Sequence, residues 1–215
     1  MTATINTQPD ALDQALFEYF GYTEFRSGQR EVLDRILSGN DVLAVFPTGA
    51  GKSLTYQLAA LSLPGTAIIV SPLIALMRDQ VVDLQSRHIG GVSAINSTLT
   101  GQEVEDHLNL LAGGEEKLLY VTPERCSDPA FLEHLGKINV SLFVVDEAHC
   151  ISEWGYDFRP AYLMLDKAIR ATGRPPILAL TATATPQVRA DIQNSLGLID
   201  PMVIIHGFDR TNLVF

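Results

Sequence analysis

DVLAVFPTGAGKSLTYQLAAL, residues 41–61, passes from an unbroken apolar run through a glycine-rich turn into a segment with helical spacing. DVLAVF has the nearly continuous hydrophobicity of a strand buried on both faces, and LTYQLAALS places apolar side chains at helical intervals. The turn between them, PTGAGKS, sets Gly49 and Gly51 where backbone N–H groups face an anion, at a helix N-terminus whose dipole favours negative charge. Thr48, Gly49, Ala50 and Gly51 then form a phosphate cradle. Lys52 pairs with β and γ phosphates, and Ser53 ligates Mg²⁺. The strict pattern GxxxxGK[ST] has glycine where this chain has Phe46, so the match runs from Thr48 onward.

Working outward, further strand-like runs are TAIIVS (66–71), GVSAI (91–95), KLLYVT (117–122), VSLFVVDE (140–147), PILALTA (176–182) and PMVII (201–205). Helical spacing occupies 54–62, 73–86, 102–112, 161–171 and 186–197. The alternation predicts an α/β fold: a doubly wound, mostly parallel sheet of about seven strands flanked by helices, with right-handed crossovers. Ser71 and Pro72 read as one helix start, Thr185 and Pro186 as another, and Gly197 as a stop. Ahead of the first strand, two short helices are joined through GYTEFRSGQ. In such sheets ligands bind beyond the carboxyl ends of the strands, where all the polar motifs fall.

The 215 residues, 47% of them hydrophobic, suffice for one domain with a full core. No run approaches the ~18 apolar residues of a membrane span, and the polar N-terminus lacks a leader pattern, so a cytoplasmic protein with no membrane partner is expected. Cys126 and Cys150 lie far apart without a metal-ligand pattern and read as reduced structural thiols. A net charge of −10 argues against an extended nucleic-acid clamp, so any such site must be small and local.

FVVDEAH, residues 143–149, is an apolar strand ending in adjacent carboxylates. Asp146 is placed to hold Mg²⁺, and Glu147 to orient and deprotonate an attacking water. Together with the phosphate cradle the pair signals nucleotide hydrolysis.

Read together, FGYTEFRSGQ, PTGAGKS, VSPLIALMRDQ, YVTPER, VDEAHCISEWGYDFRP and ALTATAT resemble the ordered motifs of the first motor lobe of RecQ-family DNA helicases, of superfamily two. The resemblance covers about residues 10–215 and implies a RecA-like, ATP-binding lobe of a 3'-5' helicase acting in DNA repair and recombination. This superfamily accepts a residue other than glycine at the position of Phe46. By resemblance Gln29 reads adenine with its amide while Tyr22 and Arg26 stack on the base. From the residues alone GYTEFRSGQ is a helix–turn–helix connector. Trp154, Tyr156 and Phe158, with Arg159 beside them, resemble the family's aromatic loop, where bases of a single strand stack and the arginine meets a phosphate. Tyr156 stands where the family usually has histidine. Ser71 and Thr122, with neighbouring backbone amides, resemble contacts to the DNA backbone. His149, Thr181 and Thr183 resemble residues coupling the two sites, although the threonines read equally well as turn hydroxyls. His88, His107, His134 and His206 lack such neighbours and are expected to be structural or exposed.

The resemblance divides the chain into a flexible N-terminus (1–9), the lobe (10–207) and the start of a linker (208–215) to a second RecA-like lobe supplying an arginine finger. ATP and Mg²⁺ are the implied cofactors, and single-stranded or partly duplex DNA the implied partner, at the nucleoid if the host is bacterial. The alternative is a one-lobed, nucleotide-gated regulatory module.

Overall fold

Each strand in the chain's centre sends alternate residues to two separate cores. Val42 and Ala44 pack in one cluster and Leu43 in the other; Ala67 and Ile69 oppose Ile68 and Val70, and Leu142 and Val144 oppose Phe143 and Val145. A period of two with both faces buried requires helices above and below the sheet. The computed structural model describes residues 10–206; the expected N-terminal segment and linker lie outside the described residues.

The seven strands are β1 (Val42–Val45), β2 (Thr66–Val70), β3 (Val92–Ile95), β4 (Leu118–Val121), β5 (Val140–Val145), β6 (Ile177–Thr181) and β7 (Met202–Ile205). They form one sheet in the order β3-β4-β2-β5-β6-β1-β7, and every pairing is parallel. The helices are α1 (Ala11–Phe20), α2 (Gln29–Leu37), α3 (Lys52–Ser62), α4 (Ile74–Ser86), α5 (Gly101–Ala112), α6 (Pro129–Leu135), α7 (Leu165–Ala171) and α8 (Pro186–Leu196). α1 to α4 cover one face and α5 to α8 the other. The chain returns across β5 and β6 between β1 and β2, which opens a crevice at the carboxyl ends of the strands.

Several local expectations are corrected. α4 begins at Ile74 behind Leu73, with no side-chain cap, and Ser71 is buried at the end of β2 instead of opening the helix. The stretch 161–171 is a 3-10 turn, Pro160–Met164, followed by α7, because Tyr162 turns inward and donates its hydroxyl to the Asp146 carbonyl. A further 3-10 turn (Pro123–Ser127) and α6, capped by Asp128 with Pro129 at its start, occupy a span with too short an apolar period to announce itself. Thr185 caps α8 and Gly197 ends it in the left-handed region, as the sequence predicts. Both cysteines are buried free thiols, and burial pushes Cys126 up to about 12.

At the opposite, amino end of the strands Asp41 forms a clasp. Its Oδ1 accepts from Arg174 Nη1 at 2.8 Å and from the Ile177 N–H at 3.0 Å, and its Oδ2 accepts from the Ile199 N–H at 2.7 Å. Burial pushes this carboxyl up, but Arg174 and the two backbone donors outweigh it and hold it below its ordinary value. A carboxyl so lowered adds stability above its unfolded pKa of about 3.9 that is lost as pH falls through the folded value. Asp41→Ala is expected to cost about 2–3 kcal/mol near neutral pH, with the deficit shrinking in acid, as measured by urea unfolding across pH.

Candidate nucleotide and nucleic-acid site

The phosphate cradle is held by side chains from the segment between α1 and α2. Arg26 Nη1 donates to the Gly49 carbonyl at 2.7 Å, and Gln29 Nε2 donates to the carbonyls of Gly51 at 3.0 Å and Ala50 at 3.3 Å. Gln29 Oε1 accepts from the Arg26 N–H at 2.8 Å, so one buried amide joins both segments. Gly51 has φ +82°, and a Cβ there would lie 2.4 Å from Gln29 Nε2. Left-handed backbone and lack of room together demand glycine. Lys52 Nζ donates back to the Phe46 carbonyl at 3.2 Å. A cleft of about 220 Å³ opens beside the cradle between Tyr22, Arg26, Gln29, Gly51 and Ser53. The expected base readers therefore converge, with one correction: both Gln29 amide N–H groups already bond loop carbonyls instead of facing free into the cleft.

β5 delivers the acid pair. Asp146 is buried; burial and the neighbouring Glu147 carboxylate push it up to about 6, against Lys52 and His149. Its Oδ1 accepts the Glu147 N–H at 3.0 Å. Glu147 sits in the left-handed region at φ 50°, uncommon for a residue with a Cβ, which turns its carboxylate toward His149. The bond from His149 holds Glu147 below its ordinary value, despite burial. Cys150 Sγ, 3.9 Å from His149 Nε2, and the Glu147 carboxylate, 3.3 Å from Nδ1, raise His149 to about 9. His149 Nδ1 also lies 3.0 Å from Thr181 Oγ1, and that hydroxyl exchanges hydrogen bonds with the backbone of Thr183. His149, Thr181 and Thr183 are thus contiguous, Thr183 joining through its backbone. Asp146 at the end of β5 and Ser53 in the first turn of α3 are both oxygen donors, the ligand type that suits Mg²⁺. Among the described residues no cluster of three His, Cys, Asp or Glu offers a denser metal cage.

The aromatic loop follows. Gly155 turns so tightly beneath His149 that a Cβ would fall 2.1 Å from the His149 carbonyl. Ser152 anchors the loop to α8 by donating to Asp191, and the Arg159 N–H closes its base on the Cys150 carbonyl. Trp154 is 78% exposed and Tyr156 98% exposed, while Phe158 is only half-buried. Arg159 does not stand free for a phosphate: its Nε and Nη2 bond Asp157 at 2.9 and 2.8 Å. Two clefts flank the loop, one of about 360 Å³ reaching Leu73 and Arg159, the other of about 450 Å³ reaching Thr183 and Val188; His149 and Tyr156 line both.

At the neighbouring strand ends, Ser71 and Thr122 come together, the Ser71 N–H donating to the Val121 carbonyl, but both side chains are buried. Two arginines lie on the same side: Arg78 donates to Thr98, and Arg125 reaches the Asn96 carbonyl and pairs with Asp128 at 3.6 Å. Both arginines lie within the quoted motifs VSPLIALMRDQ and YVTPER, so their charge was the available signal.

A seven-stranded parallel sheet thus carries the glycine-rich turn, the acid pair and the exposed aromatic loop at the carboxyl ends of its strands. The chain belongs to the DEAD/DEAH box helicase family, whose pattern matches residues 26–192. It is 45% identical over 205 residues to the probable ATP-dependent DNA helicase RecS of Bacillus subtilis, covering 94% of this chain and 40% of that protein. It is 46% identical over 202 residues to the ATP-dependent DNA helicase RecQ of the same organism, covering 93% and 34%. The chain therefore spans well under half the length of these curated relatives. In fold it matches the DUF1998 helicase MrfA bound to DNA, with a TM-score of 0.73 at 17% identity over 92% of this chain and 29% of that one.

Because His149 is raised from about 6.5 to about 9, its contribution to stability is complete below about pH 6.5 and is lost as pH rises through about 9. Wild-type unfolding free energy should fall relative to His149→Gln over that window in urea titrations; parallel curves would contradict the assignment.

Proposed function

We propose that this chain is the ATP-binding first motor lobe, residues 10–207, of an ATP-dependent RecQ-type DNA helicase serving DNA repair and recombination. The observation that carries the reading is the convergence of Lys52, Asp146, Glu147 and His149 between a nucleotide cleft and the exposed aromatic pair Trp154 and Tyr156.

ATP enters where Gln29 and Lys52 now bond the loop. Lys52 exchanges the Phe46 carbonyl for phosphate oxygens, and Gln29 exchanges a loop carbonyl for the adenine edge, with Tyr22 and Arg26 on its face. Ser53 and Asp146 would hold Mg²⁺, which supplies neutralisation of the developing phosphate charge. A cation held there would favour the ionised form of Asp146. Glu147, held ionised by His149, orients the attacking water and accepts its proton. The strand of DNA crosses the aromatic loop, and a shift of Tyr156 or Trp154 reaches Glu147 through His149, which lines the clefts on both sides. DNA occupancy and hydrolysis are thereby coupled.

In this reading a second lobe, outside the span shared with the relatives, supplies an arginine finger, and such a finger is worth about 10³ to 10⁵ in rate. We place the complete protein in the cytoplasm, at the nucleoid of a bacterial host. Residues 1–215 alone bind Mg-nucleotide and single-stranded DNA weakly and do not unwind a duplex.

Two measurements check this reading. Purified chain should hydrolyse ATP at background rates with and without single-stranded DNA, indistinguishably from Lys52→Ala; DNA-stimulated turnover abolished by Lys52→Ala would establish a self-sufficient one-lobed module instead. Trp154→Ala should weaken single-stranded DNA binding about 5- to 150-fold in fluorescence anisotropy, the loss of one stacked base at about 1–3 kcal/mol, with thermal stability nearly unchanged.

A further inference from the structure

His206 ends β7 at the sheet's edge and lines none of the clefts described above, yet four separate contacts fix it. Its N–H donates to the Val45 carbonyl at 3.2 Å, continuing the β1 pairing by one residue. Its ring meets Phe46 edge-on, with centroids 6.1 Å apart and planes at 60°. Nδ1 lies 3.2 Å from Ser27 Oγ, and Nε2 lies 3.6 Å from Glu31 Oε2 in the first turn of α2. The two ring nitrogens thus face Ser27 and Glu31, which bracket the start of α2.

Between Ser27 and Gln29 stands Gly28, with φ +81°, at the N-cap of α2. A Cβ there would lie 2.6 Å from His206 Cδ2 and 2.8 Å from Phe46 Cζ. The two rings thus close over the backbone of the residue that aims Gln29. This gives Phe46 a use: the ring that replaces the pattern's first glycine forms one wall of the seat, and His206 forms the other.

We propose that His206 is a positioning residue for base selection, holding Ser27 and Gly28 against the end of β7 so that Arg26 and Gln29 are presented to the cleft in one geometry. The proposal rests on the nucleotide reading given above. It extends that reading to a residue from the last strand, which touches neither nucleotide nor cradle. Displacing the end of β7 alters adenine selection more than phosphate affinity, because the cradle that Arg26 and Gln29 also bond keeps its own backbone turn.

The test uses residues 1–215 with Mg-ADP, Mg-GDP and inorganic tripolyphosphate as competitors of a fluorescent adenine nucleotide. His206→Ala should weaken ADP about tenfold, the value of one well-placed hydrogen bond, while tripolyphosphate and GDP stay within about twofold. His206→Gln, whose amide can reach Ser27 and Glu31, should recover most of the loss. An unchanged ADP-to-GDP ratio in His206→Ala would overturn the proposal, whatever its melting temperature does. If the wild-type chain discriminates no adenine nucleotide, the nucleotide reading fails first, and this proposal falls with it. Hydrogen exchange separates the two cases without nucleotide. In His206→Ala, or in Ser27→Ala should that variant not fold, the Arg26 amide should exchange about tenfold faster while β1 and β6 stay protected. Unchanged protection at residues 26–29 would overturn the bracket even where adenine binding holds.

Discussion

Covering both faces of a parallel sheet leaves only the strand ends for chemistry. The central strands are buried along their length apart from Ser141 near the start of β5, so the chain exposes polar backbone and charged side chains mainly where strands stop. β1 stops at the cradle, β5 at the acid pair, and β6 at Thr181; β2 and β4 stop at Ser71 and Thr122. The order of strands sets which endings are neighbours. Because β6 lies between β1 and β5, Thr181 stands within reach of His149, and the carboxylates face Lys52 across it.

The cradle shows what such an ending requires. Carbonyls freed by the glycine turn must find donors. Three cationic or amide side chains provide them, two from a segment that precedes the sheet. On the proposed reading, a nucleotide binding there competes with interactions already made, and its affinity is reduced by the strength of the loop's internal bonds. The same arrangement keeps the turn ordered, which lowers the entropy lost when an anion settles.

Much of this was legible in the sequence. Seven strands, their parallel sense and the helices with strong apolar spacing follow from buried runs separated by helical periods, and the acid pair follows from FVVDEAH. α6 escaped because seven residues give fewer than two full turns of period. The burial of Ser71 and Thr122 and the pairing of Arg159 with Asp157 could not be read, since solvent access at a strand end depends on neighbouring loops. Tyr162 is the clearest case. Its hydroxyl steadies the Asp146 carbonyl from sixteen positions away, and nothing local marks it. His206 had no chemical neighbours in sequence and acquired them only through the pairing of β7 with β1.

The Asp41 clasp sets a common register at the end of the sheet remote from the crevice. One carboxylate fastens the approach to β1, the first residue of β6 and the turn before β7. The same three strands stay paired to their carboxyl ends, so the glycine-rich turn after β1, Thr181 on β6 and His206 just past β7 inherit their alignment from a single side chain at the far end.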